Sequence, residues 1–210
     1  VPGGLAALEL AYRGFLRLRP SLQAGARRWE ARAAGPVLSA HLERELRSDH
    51  AGETGAVFIY RGIAAVARWR KDEELIAFSA RHGATESEHL RLVEAWLPPA
   101  RRSRLLGPWR VAGWLTGALP ALFGRRAVYA TIAAVETFVD RHYQQQIDHL
   151  QQHGGPEGLL ELLVRCQVDE RDHRDEAAAL AGTPASAVLR VWCKTVGAGS
   201  DAAVMLARRV

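Results

Sequence analysis

The sequence predicts an all-α fold: four long helices in a bundle, one unlike insertion between the second and third, and an extra C-terminal helix. Three observations predict it. Apolar residues recur at helical spacing nearly everywhere. No alternating apolar run is closed by an Asn-Gly or Asp-Gly turn, so strand signals are absent. Ala, Leu, Arg and Glu dominate, and all four favour helix.

The elements follow in order. A first long helix is expected over residues 39–69, with Pro36 ahead of it. A second, over 72–97, stops at Pro98-Pro99, because proline cannot continue the hydrogen-bond ladder. Residues 98–124 form the insertion, rich in Gly, Pro, Trp and Arg. A third helix over 125–152 ends at His153-Gly-Gly-Pro156, and a fourth over 157–181 ends at Gly182-Thr-Pro184. A fifth covers 186–208, with Gly197 and Gly199 as weak points. Four long helices and one insertion suit a four-helix bundle, although a generic helical array has the same periodicity.

The chain has 210 residues, 48% hydrophobic and 24% charged, which makes a folded globular protein with a real core. Two cysteines, Cys166 and Cys193, exclude a disulfide framework and a zinc-finger cluster. Residues 1–36 scatter arginines among apolar residues with no signal-peptide core, and read as an amphipathic lead-in without assignment, an organellar targeting segment being the alternative. The main domain is expected over residues 37–210. No apolar run reaches membrane-spanning length.

The chemistry lies in a repeated carboxylate pattern. Glu136 interrupts the apolar run Ile132-Ala-Ala-Val-Glu-Thr-Phe-Val139, and burying an unpaired carboxylate is expensive unless it is paired, protonated or metal-bound. Glu53 lies among small residues that admit a close neighbour. Glu86-Ser-Glu-His89 and Glu170-Arg-Asp-His173 both read Glu-x-x-His, which puts a carboxylate and an imidazole on one helical face. One such motif is weak. Here Glu86 follows Glu53 by 33 residues and Glu170 follows Glu136 by 34, so each long helix receives one element. That is the ligand set of a di-iron or di-manganese carboxylate bundle. Four glutamates balance two divalent ions, and mixed carboxylate and imidazole ligands suit iron or manganese. Asp169 is placed to accept from the outer nitrogen of His89, whereas Thr85, at the matching position, is a poorer acceptor. Cys166 shares the face of Glu170 and reads as a small buried hydrophobe. His149 and His153 read as favouring the negative end of the third helix.

These residues resemble a known family. Arg47-Ser-Asp-His-Ala-Gly-Glu-Thr-Gly-Ala56 with Ile59-Tyr60 is similar to the first-helix motif of the demethoxyubiquinone hydroxylases. Ala134-Val-Glu-Thr, His142-Tyr143 and Gln146-Ile147 resemble that family's third helix, Leu106-Gly-Pro-Trp its inter-helix hairpin, and Ser186-Ala-Val-Leu the start of its last helix. The resemblance covers about residues 37–210. It implies a ferritin-like four-helix bundle that hydroxylates a demethoxy-ubiquinone ring with O2 at a di-iron centre. By it, two iron ions would be held by Glu53, Glu86, His89, Glu136, Glu170 and His173. His142 and Tyr143 would serve substrate contact or electron transfer. NADH or another reductant would supply electrons. The chain departs from the pattern at Tyr60-Arg-Gly-Ile63, where the family has a smaller residue and then Gly-Gln, and this segment is expected to touch the substrate channel.

A polyprenyl quinone lives in the bilayer, so its enzyme must dock there. Residues 101–126 combine flanking arginines with Trp109, Trp114, Leu115, Leu119, Leu122 and Phe123. Their uncharged stretch, 111–124, gives a helix of roughly 21 Å, too short to span but suited to lying in the interface. A dimer contact or core hairpin is the rival reading. The net charge of +5 would attract anionic lipid, and no nucleic-acid motif accompanies the arginines. The resemblance implies a peripheral enzyme on the cytoplasmic face of a bacterial inner membrane, or on the mitochondrial inner membrane in a eukaryote. A homodimer and a partner protein of ubiquinone biosynthesis are further expectations. A ferritin-like iron oxidase or store is the alternative function.

Overall fold

The computed structural model describes residues 37–182 and 186–210. The lead-in over residues 1–36 and the Thr183-Pro184 stop signal lie outside them. The described residues form six α-helices and no strand. These are α1 (Ala40–Arg70), α2 (Glu73–Trp96), α3 (Leu106–Leu122), α4 (Arg125–His153), α5 (Leu159–Ala181) and α6 (Ala187–Ala207). A 3-10 turn, Pro99–Arg101, precedes α3.

Local chemistry sets the boundaries. Ser39 caps α1 and Asp72 caps α2, each side chain accepting from a backbone N–H three residues on. Lys71 takes the left-handed conformation and closes α1. Arg125 bonds Asp72 at 2.8 Å, fixing the start of α4 to the start of α2. Short loops join α1 to α2 and α4 to α5, and α3 carries the chain across from one pair to the other. Buried Tyr60, Ile63, Phe78, Tyr129, Ile132 and Ala177 bring all four long helices into one core.

The insertion is more structured than its glycines suggest. Its helix starts at Leu106, not Val111, and lies along α1. Gly113 and Gly117 make this possible, since a Cβ on either would collide with the carbonyls of Gly55 and Ile59. Gly62 reciprocates by receiving the Trp114 backbone. The small residues therefore face inward, and Val111, Trp114, Leu115, Leu119, Leu122 and Phe123 are left exposed. Among the described residues no helix is long and apolar enough to cross a membrane.

The last helix also departs from expectation. Gly197 and Gly199 do not break α6, which runs unbroken along α4. Trp192 Nε1 donates to Thr131 Oγ1 at 2.9 Å and anchors it there.

Candidate metal centre

The six expected ligands converge. Glu53, Glu86, His89 and Glu170 offer atoms within 4.8 Å of one another, and so do Glu86, Glu136, Glu170 and His173. Glu86 and Glu170 belong to both groups, which leaves His89 at one end and His173 at the other. All six are buried. The convergence follows from helix geometry: Glu86 and Glu170 stand one turn before their histidines on facing helices, α2 and α5, while α1 and α4 each contribute one glutamate.

Polar contacts inside the cluster are short. His89 Nδ1 lies 2.9 Å from Glu170 Oε1. His173 Nδ1 lies 3.0 Å from Glu86 Oε1 and 3.4 Å from Glu170 Oε2. Yet Glu53 Oε2, Glu86 Oε1, Glu170 Oε2 and His173 Nδ1 are buried without a hydrogen bond. Orphaned buried ligand atoms converging on one space are costly unless something charged sits among them. The donor set fits a pair of divalent transition ions.

Without cations the carboxylates resist ionisation. Burial first, then neighbouring glutamates, hold Glu53 and Glu136 far above the usual carboxylate range; burial and Glu170 lift Glu86. Glu170 goes the other way. Burial would raise it, but the adjoining imidazoles of His173 and His89 hold it low. Burial would likewise pull His173 down, but Glu170 and Glu86 keep it up at about 10.

The outer nitrogen of His89 is 3.1 Å from Asp169 Oδ2, the partner expected from sequence. His173 has a different neighbour. The His82 ring meets it edge-on with centroids 4.3 Å apart, and His82 Nε2 faces Glu176 Oε2 at 3.0 Å. Sequence reasoning passed over His82, although it lies one turn before Glu86. Burial, then His173 and Arg81, push its pKa down to about 3, so this imidazole is neutral.

His142 and Tyr143 stand beside the cluster. Tyr143 donates its hydroxyl to Glu53 Oε1 at 2.6 Å. His142 Nε2 lies 2.9 Å from Asp49 Oδ1 and 3.3 Å from Ser48 Oγ, and Gln146 also donates to Asp49 at 2.7 Å. Asp49 and Ser48 were not picked out from sequence. Their signal was position, since Asp49 precedes Glu53 by one helical turn. Cys166 is fully buried, and burial pushes its thiol up to about 12, as suits a packing residue.

A cavity of about 390 Å³ opens onto this cluster. Its walls come from α1, α3, α4 and α6, including Ile59, Trp109, Phe138 and Val204, and Glu53, Glu86, Glu136 and Glu170 line its inner end. His142 and Tyr143 both reach it. One expectation needs correcting. Tyr60-Arg-Gly-Ile63 does not line the cavity: Tyr60 is buried against His82 and His173, and Gly62 seats α3.

Comparison with known proteins agrees with this geometry. Residues 40–207 match the family model described as ubiquinone biosynthesis protein COQ7. A protein of Rhodospirillum rubrum named 3-demethoxyubiquinol 3-hydroxylase is 36% identical, over 83% of this chain and 81% of its own length. Human mitochondrial NADPH-dependent 3-demethoxyubiquinone 3-hydroxylase is 34% identical, over 92% and 94%. The Dictyostelium discoideum protein of the same name is 35% identical, over 73% and 74%. With the match spanning every described helix, the chain belongs to the COQ7 family of ubiquinone biosynthesis proteins.

Proposed function

We propose that this protein is a di-iron monooxygenase that hydroxylates the ring of a demethoxy-ubiquinol with O2. The observation that carries the reading is the apolar-walled cavity ending on the carboxylate cluster. An iron store has no use for a cavity of that size and lining, whereas a quinol must bring its ring to the metals and keep water out.

Glu53, Glu86, His89, Glu136, Glu170 and His173 would hold two iron ions, with Glu86 and Glu170 common to both. Iron bound there supplies O2 activation and the redox change that inserts one oxygen into the ring. The chain's own residues do the rest. The cavity walls orient the ring and exclude water. Tyr143, kept neutral by burial and by Glu53, holds that ligand through its hydroxyl. Asp49 fixes the ring of His142 at the cavity wall. Electrons come from a nicotinamide reductant. The names of the human and Dictyostelium relatives specify NADPH, which lies within the expectation of NADH or another reductant.

The outer face of α3, with residues 101–126 around it, docks the protein on a membrane. Exposed Trp114, Leu115 and Leu119 would lie among the headgroups with arginines beside them. Docked this way, the protein is peripheral to a bacterial or mitochondrial inner membrane.

The test is an iron-loaded sample assayed for hydroxylation of a demethoxy-quinol. Parent protein should turn over, and Glu136→Ala should lose both metal and activity. Tyr143→Phe should keep its metal and slow turnover by roughly 10²-fold. Metal-free parent protein, or full turnover by Tyr143→Phe with His142→Leu, would defeat the respective assignments.

A further inference from the structure

From His173 a row of aromatic rings runs out to the protein surface. His82 meets the His173 ring edge-on with centroids 4.3 Å apart. Phe78 lies 4.3 Å beyond His82, and Tyr129 lies 5.0 Å beyond Phe78. Tyr60 packs along the middle of the row, 5.8 Å from His82 and 6.2 Å from Phe78. Three helices build it: α2 presents Phe78 and His82 one turn apart, α4 brings Tyr129, and α5 brings His173. None of these rings lines the cavity. Core packing alone accounts for contact between aromatic rings. It does not account for the two ends, a proposed metal ligand at one and a hydrogen-bonded phenol at the other.

A phenol gives up an electron readily only when its proton has somewhere to go. The tyrosines differ in this respect. The Tyr60 hydroxyl is buried without a hydrogen bond. Tyr143 donates to Glu53, but a cation on that carboxylate makes it a poor proton acceptor. Tyr129 donates to Glu74 Oε1 at 2.8 Å. Glu74 is half-exposed, so a proton left on it reaches solvent, and Arg125 holds its other oxygen. The Tyr129 ring is itself buried. Burial, then the Glu74 hydrogen bond, raises the pKa of its hydroxyl, so at rest the proton stays on the phenol.

We propose that this row carries an electron from Tyr129 to the buried centre when the centre has reacted with O2 and no quinol occupies the cavity. The inference rests on the di-iron reading above. Tyr129 loses one electron, which passes over Phe78 and His82 to the His173 end and reduces the oxidised iron by one. The phenolic proton moves to Glu74 Oε1, which leaves a neutral tyrosyl radical at the edge of the bundle. A small thiol in solution then returns one electron, and the proton returns with it from Glu74. The oxidising equivalent thus leaves the interior without altering it. Cys166, buried one turn before Glu170, is among the oxidisable side chains spared.

The test uses iron-loaded protein, reduced without air, mixed with O2 in the absence of quinol and frozen at intervals for electron paramagnetic resonance. The parent should give an organic radical signal that narrows when the protein carries ring-deuterated tyrosine and that disappears on adding a thiol. Tyr129→Phe should lose that signal. Glu74→Gln, which keeps the phenol and removes the proton acceptor, should also lose most of it. Tyr143→Phe should retain it. Iron content and melting temperature matched to the parent establish that each variant folds and loads. Mass spectrometry after repeated exposure to O2 gives a second reading: Tyr129→Phe should accumulate oxidised Cys166 sooner than the parent. The proposal is overturned if the parent forms no tyrosyl radical, if Tyr129→Phe keeps it, or if Tyr143→Phe abolishes it. Quinol hydroxylation by the same samples separates the two readings. Turnover without a radical rejects the path alone, and a radical without turnover rejects the hydroxylase assignment alone.

Discussion

Each of the six proposed ligands would be a liability without a cation among them. Glu53, Glu86 and Glu136 take up protons because burial disfavours their charge, and His173 is held up at about 10 by Glu170 and Glu86. These folded-state values lie above the unfolded ones. Their contribution to stability is therefore present below the unfolded pKa, 6.5 for His173, and is lost as pH rises through the folded value. Glu170 has the opposite sign, and its share is lost only in strong acid. Chelator-treated protein should thus melt at lower temperature as pH rises from 7 to 10. Metal-loaded protein should show a smaller decline, because metal binding has already expelled the protons. Thermal melts of both forms across that range check this, and a metal-free form with no alkaline loss would contradict it. At this scale the clustering of these six residues was legible, because Glu-x-x-His repeats at matched intervals on successive helices. Asp49 and His82 were not: a carboxylate or imidazole on a helix face means little until the fold shows what it faces.

Among the elements, α3 had the least legible role. Its tryptophans and arginines marked it as unlike the rest, but the same residues suit a membrane face, a dimer contact or a core hairpin. What resolves its packing is which side the glycines take, and that depends on α1. Gly113 and Gly117 bring α3 against the backbone of Gly55 and Ile59, close to Glu53. Gly117→Ala should force the helices apart and cost about 1–3 kcal/mol, the usual range for overpacking. Urea denaturation measures this directly. An unchanged midpoint would mean that α3 slides without loss and is not wedged by its glycines. The long helices were easier to place, because proline pairs and glycine clusters punctuate them and caps such as Ser39 and Asp72 sit where the periodicity begins. Gly197 and Gly199 misled, since glycine weakens a helix only by about 1 kcal/mol each and packing on α4 offsets that.

At the largest scale the described residues place around one bundle a carboxylate-rich interior, an apolar cavity reaching it, and an exposed apolar stripe on α3. Replacing Trp114, Leu115 and Leu119 with Ser should release the protein from anionic liposomes in a flotation assay while leaving its iron in place. Parent binding should weaken with salt without vanishing, because apolar burial is unscreened. A triple variant that still floats would move the membrane contact elsewhere. The seating of α6 carries a different kind of consequence. Ala207 alone is fully buried on that helix, yet Trp192, Val196, Gly199 and Val204 wall the cavity. No proposed metal ligand comes from α6. Part of the cavity wall is thus written on a stretch of chain that carries none of the carboxylates. Exchanging small residues such as Gly199 or Ala203 for larger ones would recast the mould around the ring while its reactive floor stays as it is. The final helix is therefore a wall of the cavity that can be reshaped without touching the carboxylates.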